Sequence, residues 1–160
     1  MVDHIKLLRQ DPRHFFAMNT TEMFELDPAA VEELQLKLLQ RRFAELRPKV
    51  QMLDRLCRET NTDRIDSFDD AVALALPHTV YKSYGATDMD RLRFDRMTTW
   101  LDKLTAYDLK GIDVSGCKTI EEWIQRIEAV TPLRPVSSSG TLGKISVLPR
   151  GLPEDEAQLL

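Results

Sequence analysis

Apolar residues recur with alternating steps of three and four between residues 36 and 57, which is the spacing of one face of an α-helix. Upstream, Asp27 and Pro28 are typical of a helix N-cap and first helical position. Because Pro48 lacks an amide donor and disfavours helix at Arg47, we expect a kink or a break between two helices there. Core packing explains the face better than a coiled coil, since barely three heptads are sustained. The face consists of Leu36, Leu39, Phe43, Leu46, Val50, Leu53 and Cys57.

A short helix is predicted after the polar stretch that follows this region. Ser67 and Asp70 have the spacing of a capping box, and the helix should run through Leu74 and end at Pro77. The next segment, LPHTVYKSYG, mixes β-branched and aromatic residues and is predicted to be extended or looped, with an extended segment near residues 78–84.

Two further amphipathic helices follow. The first contains Phe94, Met97, Leu101 and Leu104 at helical spacing, with Gly111 as its stop signal. Thr119 and Glu122 predict a capping box for the second, in which Trp123 is a core candidate and which Pro132 should end. The sequence up to residue 130 therefore predicts four or five helices joined by short polar loops.

The composition changes after Pro132, where serine, glycine and proline replace helix formers. Residues 145–148 alternate like a strand, so a second extended segment is predicted near 144–149. We predict a mainly α-helical fold with short C-terminal extended or β segments and no parallel nucleotide-binding sheet. Residues 1–132 form the predicted helical N-terminal domain, and residues 133–160 form a Ser/Gly-rich, phosphate-loop-like segment and tail.

Length and charge restrict the possible partners. The 160 residues suit one domain with one core, and 42% of them are apolar and 30% charged. The net charge of -4 comes from well-mixed signs, so we expect neither a nucleic acid nor a membrane surface as partner. No run of 18 apolar residues occurs and the amino terminus lacks the pattern of a signal peptide, so the expected location is the cytoplasm.

Residue types that often carry chemistry give few signals. His4, His14 and His78 lack metal-ligand spacing, and no metal site or catalytic group is predicted from spacing. Cys57 and Cys117 are expected to be buried or indifferent thiols. The pairs Asp69/Asp70 and Asp88/Asp90 are explained by helix starts, where carboxylates favour the positive end of the helix dipole.

The stretch SSSGTLGK, residues 137–144, has the ingredients of a phosphate-binding loop. Glycines let backbone N–H groups converge, hydroxyls add donors and a lysine adds a positive charge. It is not a Walker loop, because that pattern requires a glycine in place of Ser138 and a serine or threonine in place of Ile145. A flexible linker is the alternative explanation, and the order of the residues and the strand-like ISVL favour a phosphate loop or its remnant.

SSSGTLGK resembles the signature S-S-G-T-T-G-K of the adenylate-forming (AMP-binding) superfamily, whose Ser/Thr/Gly loop and lysine contact the phosphates of ATP. Upstream, SFDDAVALALPHTVYKSY is similar to a segment of the phenylacetate-CoA ligase and luciferase acyl-protein synthetase branches, in which a short helix leads to an L-P-x-T-x-[FY]-K-type stretch. Those branches also begin with a helical region like residues 27–60. Leu142 departs from the signature, which usually has a second threonine there.

The resemblance implies ATP and Mg²⁺ as ligands and a carboxylic acid as substrate. The implied reaction is attack of the carboxylate on the α-phosphate, with loss of pyrophosphate and formation of an acyl-adenylate, and then acyl transfer to coenzyme A or a protein thiol. The residues onto which phosphate contact is carried over are Ser138, Ser139, Gly140, Thr141, Gly143 and Lys144.

Members of the family are several hundred residues long, and their remaining site residues lie downstream of this loop. We therefore expect this chain to be the amino-terminal part of such an enzyme, catalytically incomplete by itself and partnered by the remainder. The alternative hypothesis is a stand-alone helical interaction module without nucleotide chemistry, whose face between Leu36 and Cys57 docks a partner helix.

Overall fold

The computed structural model describes residues 3–138 and 144–152, and the mainly α-helical class predicted from the sequence is confirmed. Within these residues two short strands form one antiparallel sheet near the C-terminal end. The α-helices are α1 (His4–Gln10), α2 (Thr20–Phe24), α3 (Pro28–Leu46), α4 (Gln51–Thr60), α5 (Phe68–Ala73), α6 (Phe94–Asp102) and α7 (Ile120–Val130). The 3₁₀ helices are Pro12–Ala17 and His78–Lys82, and the strands are β1 (Leu133–Ser137) and β2 (Val147–Gly151).

The helix starts predicted from capping residues are confirmed. The Asp27 carboxylate accepts two backbone N–H bonds from the first turn of α3, and Ser67 and Asp70 form the reciprocal capping box of α5. At α7 only half of the box forms. Thr119 Oγ1 accepts from the Glu122 amide at 3.2 Å, while the Glu122 carboxylate accepts from the amide of the residue before Thr119.

Pro48 lies in a break between α3 and α4, so the expected break between two helices is observed rather than a kink. The Arg47 guanidinium fastens this corner, because it donates 2.9 Å bonds to the carbonyl and carboxylate of Asp63 and lies 3.6 Å from Asp54. The predicted apolar face points inward. A cluster around Cys57, Ile65 and Leu74 is packed against Leu36, Leu39, Phe43, Leu53, Leu56 and Ala71.

The sequence patterns predicted no individual helix within the first 24 residues, where the structure contains α1, the 3₁₀ helix Pro12–Ala17 and α2. Asn19 Oδ1 accepts from the Glu22 amide at 3.0 Å, and the Glu22 carboxylate accepts from the Asn19 amide at 2.9 Å, which is a complete capping box for α2. Leu8, Met18 and Leu34 form a small buried cluster that attaches this region to α3.

The main core joins α6, α7 and the strands. Phe94 and Trp123 stack with ring centroids 5.9 Å apart, and the Trp123 indole donates to Thr98 Oγ1 at 2.9 Å, so Trp123 is a core residue as predicted. Leu133 of β1 and Val147 of β2 are buried in the same cluster. The sheet is therefore packed on the helices rather than projecting from them.

Several predicted boundaries are wrong. Residues 78–82 form a 3₁₀ helix rather than an extended segment, because bonds such as Val80 N–H to the Pro77 carbonyl satisfy the backbone locally where no strand is available. Helix α6 ends at Asp102, ahead of Gly111. Strand β1 lies in the predicted loop region, and β2 begins at Val147, later than expected, because its register with β1 places Ser137 opposite Val147.

The role predicted for Asp88 and Asp90 is also wrong, whereas Asp69 and Asp70 do lie in the first turn of α5. Asp88 and Asp90 lie in turns before α6. Leu92, with φ of 53°, breaks the helical path between these aspartates and Phe94, and the Arg93 amide donates back to the Asp88 carbonyl at 2.7 Å.

The strands place two prolines opposite each other, Pro135 in β1 and Pro149 in β2. Bonds from Ser138 N–H to Ser146 and from Leu152 N–H to the carbonyl of residue 132 mark the hydrogen-bonded pairs of the ladder. Because bonded and non-bonded pairs alternate, the two prolines occupy a non-bonded pair and cost the ladder no donor.

Candidate functional site

The segment that resembles a phosphate loop connects the two strands of the hairpin. Ser138 donates its amide to the Ser146 carbonyl at 3.0 Å, and the Ser146 amide donates to Ser138 Oγ at 2.9 Å. These two bonds close the base of the loop next to β1 and β2. Of the predicted phosphate contacts, Ser138 and Lys144 are described by the structure. The remaining predicted contacts, Ser139, Gly140, Thr141 and Gly143, lie outside the described residues.

Lys144 lies at the exit of this loop and turns back onto Tyr84. Its ammonium nitrogen is 3.9 Å from the centroid of the Tyr84 ring and donates a hydrogen bond to the Tyr84 carbonyl. The side chain is half-buried, and this burial lowers the pKa of the Lys144 amine below its ordinary value. The negative charge of Asp88 acts in the opposite direction on that pKa and is the smaller effect.

Tyr84 contacts the backbone next to Lys144 as well as the Lys144 ammonium group. The Tyr84 hydroxyl donates to the Ile145 carbonyl at 2.8 Å. The ring is buried and meets Trp100 of α6 edge to face, with centroids 5.2 Å apart. The Trp100 indole in turn donates to Ser83 Oγ at 2.9 Å, so both the tyrosine and its neighbour are fixed to α6.

Gly85 and Asp88 complete the surroundings of Tyr84. The Gly85 amide donates to Asp88 Oδ2 at 2.8 Å, and Asp88 is buried. A Cβ atom at position 85 would lie 2.3 Å from that carboxylate oxygen, so the close approach requires glycine. The bond from the Gly85 amide thus keeps the buried Asp88 carboxylate near the Lys144 cation. This bond depends on glycine, because a side chain at position 85 would clash with the carboxylate.

The structure brings together residues at the ends of two stretches quoted from the sequence, LPHTVYKSY and SSSGTLGK. Tyr84 ends the LPHTVYKSY stretch, and it contacts Lys144 and Ile145, which lie 60 and 61 residues further along the chain. The sequence predicted Lys144 but not the involvement of Tyr84, Gly85, Asp88 or Trp100. Tyr84 lies inside a quoted segment, which is the one available signal, whereas the sequence contains no signal for Trp100.

The donor set fits phosphate oxygens better than it fits a metal ion. An ammonium group carries three N–H donors, and a seryl hydroxyl that accepts a bond, as Ser138 does, can still donate its own hydrogen. Asp88 is the nearby carboxylate, and one of its oxygens already accepts from Gly85. In the described residues no three histidine, cysteine, aspartate or glutamate side chains converge as metal ligands.

The remaining candidate groups are the histidines and the cysteines. His4 and His14 stack and are joined by a 3.2 Å contact between ring nitrogens, with Glu22 3.9 Å from His4. His78 is exposed. Cys57 and Cys117 are free and buried, as predicted, and burial raises the pKa of the Cys57 thiol.

A cleft of about 730 Å³ lies between α6 and residues 109–117, and its lining does not include Tyr84 or Lys144. Two of the carboxylates that line it already accept hydrogen bonds from within the chain. Asp102 accepts from the Leu109 amide at 2.9 Å, and Asp113 accepts from Ser115. We therefore place the candidate site at Lys144 rather than in this larger space.

No protein-family model, curated protein or solved structure matches this chain at a significant level. Any functional assignment therefore depends on the residues and their geometry. Across residues 3–138 and 144–152, none of the helices combines the length and the apolar character needed to cross a membrane.

Proposed function

We propose that this chain supplies the phosphate-binding loop of an ATP-dependent acyl-adenylating enzyme, which activates a carboxylic acid as acyl-AMP and transfers it to coenzyme A or a protein thiol. The observation that supports the proposal is the placement of Lys144, which holds a positive charge at the exit of a Ser/Gly-rich hairpin loop. The lysine is anchored by the second segment on which the resemblance depends.

The electrostatics of the position favour an anion. Lys144 is half-buried, and a charge pair is stronger where water is partly excluded. Burial lowers the pKa of the amine, and a bound phosphate would offset that cost because it favours the charged form. The site therefore gains stability when an anion arrives, which is the behaviour expected of a phosphate contact.

The hairpin explains how the other predicted contacts would act. Bonds between Ser138 and Ser146 join the two chain positions that flank residues 139–145, and backbone N–H groups of a Ser/Gly-rich sequence can serve as phosphate donors. Ser138, Ser139, Thr141 and the two glycines would contribute hydroxyl and amide donors to the phosphates. Mg²⁺ would be carried by the nucleotide, and the cytoplasm is the proposed location.

Calorimetry with ATP·Mg tests the proposal on this chain. Lys144→Met removes the charge and keeps the length of the side chain, and we expect it to weaken binding about ten- to hundredfold, as expected for loss of a hydrogen bond to a charged group. Lys118→Met is the matched control, because Lys118 is an exposed lysine that precedes α7 and should leave binding unchanged.

Two results would count against the proposal. Equal ATP affinity in the wild-type and Lys144→Met chains would place the nucleotide elsewhere. No heat of binding at millimolar ATP would favour the alternative hypothesis, a helical interaction module without nucleotide chemistry. Inorganic pyrophosphate provides a further comparison, since a loop that contacts the β- and γ-phosphates should bind it competitively with ATP.

A further inference from the structure

We infer that Tyr84 is a positioning residue for Lys144, holding the ammonium group in place for a phosphate oxygen. This inference rests on the proposed function, because it specifies how the same site is organised. The two residues are 60 positions apart, so the contact is a product of the fold rather than of local sequence.

Tyr84 contacts the end of the loop with three different groups. Its ring face lies 3.9 Å from the Lys144 nitrogen, its carbonyl accepts a bond from the same nitrogen, and its hydroxyl donates to the Ile145 carbonyl at 2.8 Å. One residue therefore fixes both the charge and the backbone that carries it. A lysine side chain otherwise has four rotatable bonds and would lose that freedom when it binds an anion.

The two contacts to the ammonium leave one of its N–H donors for a ligand. An ammonium has three N–H donors, of which one is directed at the Tyr84 carbonyl and another side faces the ring. A phosphate oxygen can approach the remaining donor without displacing Tyr84. Tyr84 would therefore influence a bound phosphate only by positioning Lys144, without touching the phosphate itself.

Tyr84 is itself held in place. Trp100 packs against its ring at a centroid distance of 5.2 Å and bonds to Ser83 on one side, while Gly85 is bonded to buried Asp88 on the other. A residue fixed on both sides can pre-organise a flexible partner, and the entropy of ordering Lys144 is then lost on folding rather than on binding.

Nuclear magnetic resonance on a chain with ¹³C-labelled lysine, observed at the Cε methylene next to the ammonium, tests the contact without nucleotide. Protons near the face of an aromatic ring move upfield, so the Lys144 signal should be upfield of that of exposed Lys118. Tyr84→Met, which fills a similar space without a ring, should abolish the upfield shift, and Tyr84→Phe should keep it.

ATP·Mg affinity is then measured on the same variants. We expect Tyr84→Met to weaken binding about tenfold, as the loss of a partly desolvated cation–π contact predicts, and Tyr84→Phe to weaken it by about threefold through loss of the Ile145 bond. Thermal unfolding identifies a variant that does not fold. If Tyr84→Met does not fold, the test is the ATP affinity of Tyr84→Phe, which keeps the packed ring. Tyr107→Phe, at another partly buried tyrosine of the same core, is the control and should change neither readout.

The outcomes separate the two proposals. An upfield shift in a wild-type chain that binds no ATP would refute the proposed function while supporting the contact between Tyr84 and Lys144. ATP binding with no upfield shift, or equal affinity in folded Tyr84→Met and wild-type chains, would overturn the positioning role while leaving the proposed function intact.

Discussion

At the scale of single residues, Gly85 shows how closely the candidate site is packed. Its amide donates to Asp88 Oδ2 at 2.8 Å, and an added Cβ would lie 2.3 Å from that oxygen. The carboxylate is buried, so it cannot move away without losing its bond or gaining water. The backbone conformation at Gly85 and the position of the Asp88 carboxylate near Lys144 therefore depend on one another.

Gly85→Ala should displace the Asp88 carboxylate and lower the free energy of unfolding by about 1–3 kcal/mol, the cost of leaving a buried polar group without its partner. Urea unfolding measures the change. In an Asp88→Ala background the clash is absent, and the same glycine substitution should then cost little. An equal cost in both backgrounds would show that the clash with Asp88 is not the cause.

Asp70 gives a prediction with a defined dependence on pH. The bonds to its carboxylate from the Asp66 amide, the Ser67 hydroxyl and the Ser67 amide lower its pKa below the ordinary value of 3.8. The folded state therefore favours the ionised form. The resulting stabilisation is present above pH 3.8 and is lost as the pH falls through the folded value.

Asp70→Asn should accordingly be less stable than wild type at neutral pH, and the difference should close as the pH falls below 3.8. Urea unfolding over a pH series measures it. Asp69→Asn, an exposed neighbour in the same first turn, is the matched control. A constant difference across the series would contradict the assignment of the effect to the ionised capping carboxylate.

Residue roles that depend on near neighbours could be predicted from the sequence, and those that depend on distant ones could not. Ser67 and Asp70 are three residues apart, and their capping box was predictable because its bonds are local. Tyr84 bonds to a residue 61 positions away and Trp100 to one 17 positions away, and neither composition nor spacing predicts such contacts. Lys144 was predicted through its motif, but its aromatic partner was not.

At the scale of elements, α7 connects the helical core to the hairpin. Its inner face buries Trp123 and Ile127, and Arg134 of β1 donates to the carbonyls of Glu128 and Thr131 at its C-terminal end. Thr119 caps the other end through a 3.2 Å bond from the Glu122 amide. A loss of stability in α7 should therefore also destabilise β1 and β2.

Thr119→Ala should lower the free energy of unfolding by about 1 kcal/mol, because it leaves an N-terminal amide of α7 without its acceptor. Thr119→Ser keeps the hydroxyl and should retain most of the stability. Chemical unfolding followed by tryptophan fluorescence reports on the core that α7 packs in, since the two tryptophans are Trp123 of α7 and Trp100 of α6. Equal stability of the alanine and serine variants would contradict the capping role.

Element types were predictable where the periodicity was long, and unpredictable where the pairing partner was distant. Helix α3 was expected from Asp27, Pro28 and the strong helix formers behind them. Strand β1 was missed, because Leu133–Ser137 contains a proline and becomes a strand only through its pairing with β2. The 3₁₀ helix at His78–Lys82 was missed for the opposite reason, since β-branched and aromatic residues there have no strand to pair with.

At the scale of the whole molecule, the main core unites α6 and α7 with the hairpin. Trp123, Ile127, Leu133 and Val147 are all buried in it, so the loop between the strands is attached to a rigid support. Tyr84 belongs to the same cluster and extends the support to Lys144. We propose that this support holds the Lys144 cation in place for a phosphate.

The sharpest test of this proposal is a titration with ATP·Mg, observed at the same ¹³C-labelled lysine side chains. We expect the Lys144 signal to move with ATP and the pKa of its amine to rise toward the ordinary value, because a phosphate favours the charged form, while the Lys118 signal stays unchanged. An unchanged Lys144 signal at saturating ATP, or a Lys118 signal that moves equally, would contradict it.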